Sequence, residues 1–110
     1  MKVITPDMLA EDLSRADGVV MKTAFNQKVT GKDASMGIAV FASGVRSPME
    51  GEVSHKGDEY SYVLRGSLRC VCNGEEFTVR AGDFAFIPSN TNHYSYNPFD
   101  ETAEVLWILS

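Results

Sequence analysis

The chain has 110 residues, a length that suits one domain with a single hydrophobic core and is too short for two. Hydrophobic residues make up 44% of it and charged residues 23%, a balance that excludes a wholly disordered chain. Ten Lys and Arg against fifteen Asp and Glu give a net charge of −5, and no basic cluster is present, so nucleic acid is not an expected partner.

The apolar runs, such as residues 105–109, fall far short of the roughly 20 residues of a membrane-spanning helix. The first residues turn polar too early for a secretory signal peptide. We therefore expect a cytoplasmic protein that does not bind membranes. Cys70 and Cys72 are two apart on a predicted strand, a spacing that suits free thiols better than a disulfide between them.

Residues 1–18 form the first predicted element, a helical segment. Thr5 suits a helix N-cap, Pro6 the first helical position and Asp7 the first turn, and Met8, Leu9 and Leu13 follow on one stripe. The pattern predicts one short helix before the rest of the fold.

After Gly18 the pattern changes to short β-prone runs separated by turn residues. The predicted strands are residues 19–25, 36–43, 59–65, 67–72, 75–80, 83–87, 93–96 and 103–109. Residues 27–35 are polar and are predicted to be a loose loop. Many short strands at close spacing predict a single all-β domain, a sandwich or a closed barrel.

Turn chemistry separates several of these strands and predicts hairpins. The turns lie at residues 56–58, 65–67, 72–75 and 80–83, and Asn73-Gly74 is the strongest signal.

The only two histidines, His55 and His93, are the candidate imidazole ligands of the chain. A tight hairpin at residues 56–58 would bring His55 next to Glu59 across neighbouring strands. His93 is also the first residue of a strand, and its side chain would lie beside His55 and Glu59 if the barrel closes so that these strand ends meet. Two imidazoles and one carboxylate suit Fe(II), Mn(II), Zn(II) or Ni(II) with open coordination positions.

These residues resemble the two motifs of the cupins, a family of small β-barrels. In motif two (residues 82–97), Gly82, Pro88, His93 and Asn97 hold the expected places, and Asn90 stands where glycine is usual. Asparagine tolerates the left-handed backbone that glycine supplies. Motif one (about residues 53–66) is matched by His55, Glu59 and Gly66. The resemblance implies a cupin-type double-stranded β-helix, or jelly roll, over residues 1–110.

Motif one departs from the family at its start, because Val53 holds the place of an additional histidine. Cupins generally bind a divalent metal through three histidines and one glutamate. The resemblance therefore implies a reduced set of His55, Glu59 and His93, with water or a ligand in the vacant position and weaker metal affinity. The alternative is a barrel that has lost its metal and keeps both histidines as hydrogen-bonded wall residues.

Strand alternation assigns residues to the two faces of the barrel. If Glu59 and His93 point inward, five residues line a small pocket of mixed polarity beside them: Val53, Ser61, Val63, Ser95 and Asn97. Four tyrosines then point outward and need cover, from the N-terminal helix or from a second copy of the chain: Tyr60, Tyr62, Tyr94 and Tyr96. Because cupins often pair, we expect a homodimer.

Three further residues have less specific alternatives. Arg65 shares the inward parity and is either an anchor for an anionic ligand or, as we favour, an ordinary solvated charge beside Gly66. Cys70 and Cys72 are either soft ligands or, as we favour, small packed side chains.

Two functions from different classes fit the sequence. The first is a small metal-dependent enzyme acting on a polar small molecule inside the barrel. The alternative is a non-catalytic binding module, because residues 55–68 look like the cupin sensor domains of transcriptional regulators, and Val53 in place of a histidine harms a binder less than a catalyst. A third interpretation, a dimerising scaffold, leaves the ligand set unexplained.

Overall fold

A computed structural model describes all residues, Met1–Ser110, and shows ten β-strands in two antiparallel sheets with very little helix. The larger sheet has six strands in the order β1-β2-β3-β10-β5-β8, and the smaller has four in the order β4-β9-β6-β7. The strands are β1 Ala10–Glu11, β2 Val20–Phe25, β3 Ser35–Phe41, β4 Arg46–Ser47, β5 Glu59–Arg65, β6 Ser67–Cys72, β7 Glu75–Arg80, β8 Phe84–Ile87, β9 His93–Tyr96 and β10 Ala103–Leu109. The all-β prediction is confirmed.

The bounds of β5, β6, β7, β9 and β10 match the predicted runs, because each run alternates between residues that face the core and residues that face outward. The strands β1 and β4 have only two residues each and were not predicted from the sequence. Such short strands carry no periodicity of their own and exist because a neighbouring strand pairs with them.

The predicted N-terminal helix is wrong, since only a single 3-10 turn forms over Pro6–Met8. The Thr5 hydroxyl bonds to the Asp7 side chain and caps no backbone N–H, and Leu9 is already extended. No residue of the turn is buried. A short helix without an apolar face to pack is not stable in water, so the chain instead pairs as β1 on the edge of β2.

The predicted loose loop over residues 27–35 contains one helical turn, α1 Gln27–Thr30. Asn26 caps it, because its side-chain oxygen accepts from the Val29 N–H at 3.2 Å. Gly31, with φ of 74°, ends it in the left-handed region.

Among the predicted hairpin turns, Asn73-Gly74 joins two paired neighbours, β6 and β7, with both residues at positive φ. The turns at residues 65–67 and 80–83 carry the chain from one sheet to the other instead. Gly66 makes the first of these crossings with φ of 71°, and a Cβ there would lie 2.8 Å from Ala103 Cα. The turn chemistry is therefore correct at both places, but the predicted pairing is wrong.

The core lies between the two sheets. Its buried apolar residues are Val19, Ala39, Phe41, Val63, Leu68, Ala103 and Val105. On the outer face, Tyr60 stacks on Phe86 and Tyr62 on Phe84, with ring centroids 5.0 and 4.7 Å apart. Phe84 is 81% exposed, so this aromatic face is uncovered in the single chain, and the expected homodimer stays a prediction. No helix of the structure has the length and apolar character to cross a membrane.

Candidate metal centre

Three donor side chains converge at one end of the barrel. Glu59 is the first residue of β5, in the larger sheet, and His93 is the first residue of β9, in the smaller one. His55 lies on the segment between β4 and β5. The two sheets therefore each contribute one ligand, and a connecting segment contributes the third.

The hairpin predicted to join His55 to Glu59 does not form. The segment that carries His55 pairs with the approach to β9 instead: Val53 and His93 exchange two backbone hydrogen bonds of 2.9 Å. The Asn90 N–H donates to the His55 carbonyl at 2.6 Å. These bonds hold His55 beside His93, and the turn at residues 56–58 returns the chain to Glu59.

The donor atoms of His55, Glu59 and His93 all lie within 4.8 Å of one another. The His55 Nε2 is 3.6 Å from a Glu59 carboxylate oxygen. The two imidazole rings meet edge to face, with centroids 5.1 Å apart and planes at 78°. Atoms at these separations need only small movements to reach a common ion at about 2.0–2.2 Å.

Both imidazoles are oriented by a contact between Nδ1 and a nearby backbone carbonyl. The Nδ1 of His55 lies 2.9 Å from the Gly57 carbonyl, and the Nδ1 of His93 lies 2.8 Å from the Thr91 carbonyl. A carbonyl only accepts, so each Nδ1 carries the proton when the ring is neutral. Each Nε2 then keeps a free lone pair, which is the tautomer that a metal ligand needs.

The site is closed on one side and open on the other. His93 is 7% exposed, whereas the side chains of His55 and Glu59 are 27% and 30% exposed. Three protein donors with a solvent-facing side are typical of catalytic metal sites, since structural sites are fully enclosed by protein ligands.

Val53 offers no donor and is 43% exposed beside His93. Cys72 lies on the other side of His93, opposite it in the β6–β9 ladder. Burial raises the pKa of both the Cys70 and Cys72 thiols, and the Glu59 charge adds to the effect. Both cysteines are free, as the sequence predicted, and the Cys72 sulfur is not among the three close donor atoms.

A cavity of about 1250 Å³ adjoins the three donors, and most of its lining residues are hydrophobic. It is larger than the small pocket expected from the sequence, and its lining mixes hydrophobic and polar residues. Val53, Ser61, Val63 and Ser95 border it, each on the face that alternation assigned to it. The Ser95 hydroxyl also lies 3.3 Å from the Cys70 sulfur.

Asn97 does not line this cavity. It is fully buried, and its amide nitrogen donates to the Phe41 carbonyl at 3.0 Å and to the Glu101 carbonyl at 2.8 Å. Its amide oxygen accepts from the Phe99 N–H at 3.0 Å. Asn97 therefore ties the end of β9 to β3 and to the following turn, which is a structural role.

Arg65 points into solvent and pairs with Glu104 at 3.2 Å, in agreement with the solvated charge favoured from the sequence. The cation that does border the cavity, Arg15, was missed. It pairs with Asp17 at 2.5 Å, and both contact the Ser47 hydroxyl. Burial opposes ionisation of Asp17, but hydrogen bonds from Ser47, Arg15 and the Val19 N–H outweigh it and lower its pKa. No local pattern marks Arg15, because only tertiary packing brings residues 12–17 to the cavity.

The family found by comparison with known proteins agrees with the observed fold. A family model described as a cupin domain matches residues 39–109. A search of curated proteins by sequence finds no significant match.

Several solved structures share the fold. A predicted oxalate decarboxylase from Thermotoga maritima superposes with a TM-score of 0.82 at 21% identity, covering 98% of this chain and 97% of that one. A polyketide cyclase from Streptomyces resistomycificus also gives 0.82, at 18% identity, over 99% of this chain and 78% of its own. A conserved barrel domain protein from Salinispora arenicola gives 0.73 at 20% identity, over 99% and 86%. At these identities the likeness shows the fold alone.

Proposed function

This chain belongs to the cupin family, and from that premise we propose that it is a metal-dependent enzyme acting on a small organic molecule held in the barrel cavity. The observation that carries the proposal is the convergence of His55, Glu59 and His93, with both Nε2 atoms free, at the wall of the cavity.

The donor set fits a divalent transition metal such as Fe, Mn, Ni or Zn. Two neutral imidazoles and a carboxylate suit all four ions, and a set of three leaves positions for water or substrate. The fixed Nδ1 contacts supply the outer hydrogen bonds that hold ligating histidines in place. When bound, a divalent ion supplies Lewis acidity that polarises a substrate oxygen.

The side chains next to the donors would position a substrate. Ser61 follows Glu59 by two residues on β5, and Ser95 follows His93 by two residues on β9, so both face the same cavity. Their hydroxyls lie deeper than the donors and can hydrogen-bond polar groups of a molecule whose oxygen reaches the metal end.

Metal loading tests the proposal directly. Purified protein is incubated with Fe(II), Mn(II), Ni(II) or Zn(II), desalted, and analysed by mass spectrometry for metal content. We expect about one ion per chain. An ion present at roughly 100 times its Kd stabilises the fold by about 2.7 kcal/mol, which a thermal melt detects.

Matched variants assign the ligands. His93→Ala and Glu59→Gln should lose the ion, whereas Glu75→Gln should keep it, because Glu75 borders the same cavity but lies outside the donor set. Metal content that stays at zero with all four ions, or that His93→Ala leaves unchanged, would refute the proposal.

One observation favours the second candidate, a non-catalytic small-molecule-binding module. Val53 stands where the family motif implies a fourth protein ligand, and the weaker hold on the ion that follows harms a binder less than a catalyst. Depletion of candidate compounds by the metal-loaded protein distinguishes the two. Turnover that His93→Ala abolishes supports the enzyme, and tight capture of a compound that is recovered unchanged supports the binder.

A further inference from the structure

We infer that the Cys72 sulfur is a fourth protein ligand of the metal centre, and that it makes the centre hold thiophilic ions, such as Zn(II) and Co(II), more tightly than the other three donors alone would. The inference rests on the proposed function, because it adds a donor to the set of His55, Glu59 and His93. Three observations carry it: the register of Cys72, its polar surroundings and the free nitrogen of the neighbouring imidazole.

Cys72 lies directly beside His93 on the wall of the cavity. The two residues are opposite each other in the β6–β9 ladder, and both border the cavity. His93 uses its N–H and its carbonyl to bond Val53 on its other side, so these backbone groups face away from Cys72. Antiparallel pairs of this kind have Cα atoms only about 4.5 Å apart and bring their side chains closest together. The thiol therefore flanks the His93 imidazole.

The Cys72 sulfur approaches the other donors by a rotation about one bond. It lies outside the set of donor atoms that are within 4.8 Å of one another. Turning Cα–Cβ from one staggered position to the next moves a cysteine sulfur by about 3 Å. A zinc–sulfur bond, at about 2.3 Å, is also longer than a zinc–nitrogen bond. The change needed is in the side chain, since the backbone of Cys72 is already held beside that of His93.

Packing in the core does not account for Cys72. Its neighbours on the same face of the sheet are His93 on one side and Glu75, which is exposed, on the other. The residue is half-buried, and its thiol has no hydrogen-bond partner. Cys70 differs, because its sulfur lies 3.3 Å from the Ser95 hydroxyl. An apolar side chain between an imidazole and a carboxylate would bury little apolar surface, whereas a soft donor there lies next to the proposed ion.

His93 gives independent evidence of a ligand at this place. It is 7% exposed, and its Nδ1 contacts a backbone carbonyl at 2.8 Å, whereas its Nε2 has no partner. A buried imidazole held in this tautomer has its lone pair free for a metal ion. His55 and Glu59 approach the same point, and Val53, on the far side of His93, offers no donor. The thiol is the donor on the opposite side.

Four protein donors remain compatible with the proposed chemistry. An octahedral ion such as Fe(II), Co(II) or Ni(II) keeps open positions for water or substrate beyond four protein donors. On binding, the thiol gives its proton to water, and the sulfur donates an electron pair to the ion. Thiolate selects Zn(II) and similar ions, whereas Mn(II) suits oxygen ligands.

Cobalt loading tests the sulfur bond by a signal that is separate from activity. Co(II)-loaded protein is examined for the near-ultraviolet charge-transfer band that a cobalt–thiolate bond gives and that cobalt bonds to imidazole and carboxylate lack. We expect the band in the unmodified chain. Cys72→Ser should lose the band while still binding Co(II). Cys70→Ser is the matched control and should keep the band, because Cys70 borders the same cavity but lies opposite Ser95.

Competition with a chelator measures the same bond as an affinity. Cys72→Ser should weaken Zn(II) binding by at least about tenfold, the smaller loss that removal of a group supporting a metal site causes. Mn(II) binding should change by less than about twofold, because Mn(II) gains little from a thiolate. Cys72→Ala should give the same result, which shows that the serine hydroxyl does not replace the sulfur. Thermal melts of the metal-free variants confirm that they fold.

Failure of the inference and failure of the proposed function give different results. Co(II) bound through His93 without the charge-transfer band overturns the inference alone, as does Zn(II) binding that Cys72→Ser leaves unchanged. A band that Cys70→Ser abolishes and Cys72→Ser keeps also overturns it. Uptake that survives His93→Ala and still shows the band refutes the proposed centre, because the ion then lies elsewhere. Absent uptake of every ion refutes the proposed centre and the inference with it.

Discussion

Replacing Asn97 separates a structural residue from a site residue within the same sequence motif. The perturbation is Asn97→Ala, which removes a fully buried amide and leaves the Phe41 carbonyl, the Glu101 carbonyl and the Phe99 N–H without their partner. No neighbouring side chain makes these contacts in its place, so the loss falls on the ends of β3 and β9 together.

Each such hydrogen bond contributes about 1 kcal/mol net, and more when the remaining partner stays buried. Three bonds predict a loss of roughly 3–4 kcal/mol in the free energy of unfolding, a large part of the about 5–15 kcal/mol of a typical domain. For a chain of this size, that lowers Tm by about 12–16 °C. Asn97→Asp should cost at least as much, because a carboxylate oxygen would face the two carbonyls that the amide nitrogen now serves.

Urea unfolding followed by circular dichroism measures the loss, and metal content measures the site. Asn97 is four residues beyond His93 on an extended chain, about 13 Å away, so metal affinity in the folded variant should change by no more than about twofold. Asn92→Ala, at an exposed position before His93, is the control and should change stability by less than about 0.5 kcal/mol. A loss below about 1 kcal/mol for Asn97→Ala, or a stable variant that no longer takes up metal, would refute the structural role.

Three further outcomes follow from the structure. Asn90 has a left-handed backbone, with φ of 60°, so Asn90→Gly should keep the free energy of unfolding. Asn90→Val should lower the free energy of unfolding, measured in urea, by about 1–2 kcal/mol. Equal stabilities of the two variants would contradict this. Burial raises the pKa of the Cys70 thiol above its ordinary value of 9.0, so the folded state holds this proton more tightly than the unfolded state. Its contribution to stability is complete below pH 9.0 and is lost as pH rises through the folded pKa, and a Cys70→Ala variant should show a shallower alkaline decline in unfolding free energy. Finally, Phe84 and Tyr62, which stack on each other, form an exposed aromatic face, so light scattering should give the mass of a dimer. Phe84→Ser should shift this mass towards that of a monomer. A monomer mass for the unmodified chain at micromolar concentration would refute pairing.

Local chemistry in the sequence determined much of the fold. Alternation over residues such as those of β5 and β10 determined strand bounds, because the period of two is a property of the strand itself. Asn73-Gly74 determined a hairpin, and Asn90 a left-handed turn, because both depend on the φ preferences of single residues. The motif spacing around His55, Glu59 and His93 was sufficient to name the ligand candidates that the fold brings together.

Tertiary structure alone decided which segments meet. The turn at Gly66 looked like a hairpin but crosses between sheets, since turn chemistry fixes the bend and not the partner strand. Arg15, paired with Asp17 at the cavity, could not be assigned from sequence, because its position depends on contacts with Ser47, more than thirty residues away. By strand alternation, Asn97 should face the same side as Ser95, but its amide hydrogen-bonds three backbone groups instead of facing the cavity. Buried backbone groups without a partner are costly, and the Asn97 side chain is placed to supply that partner.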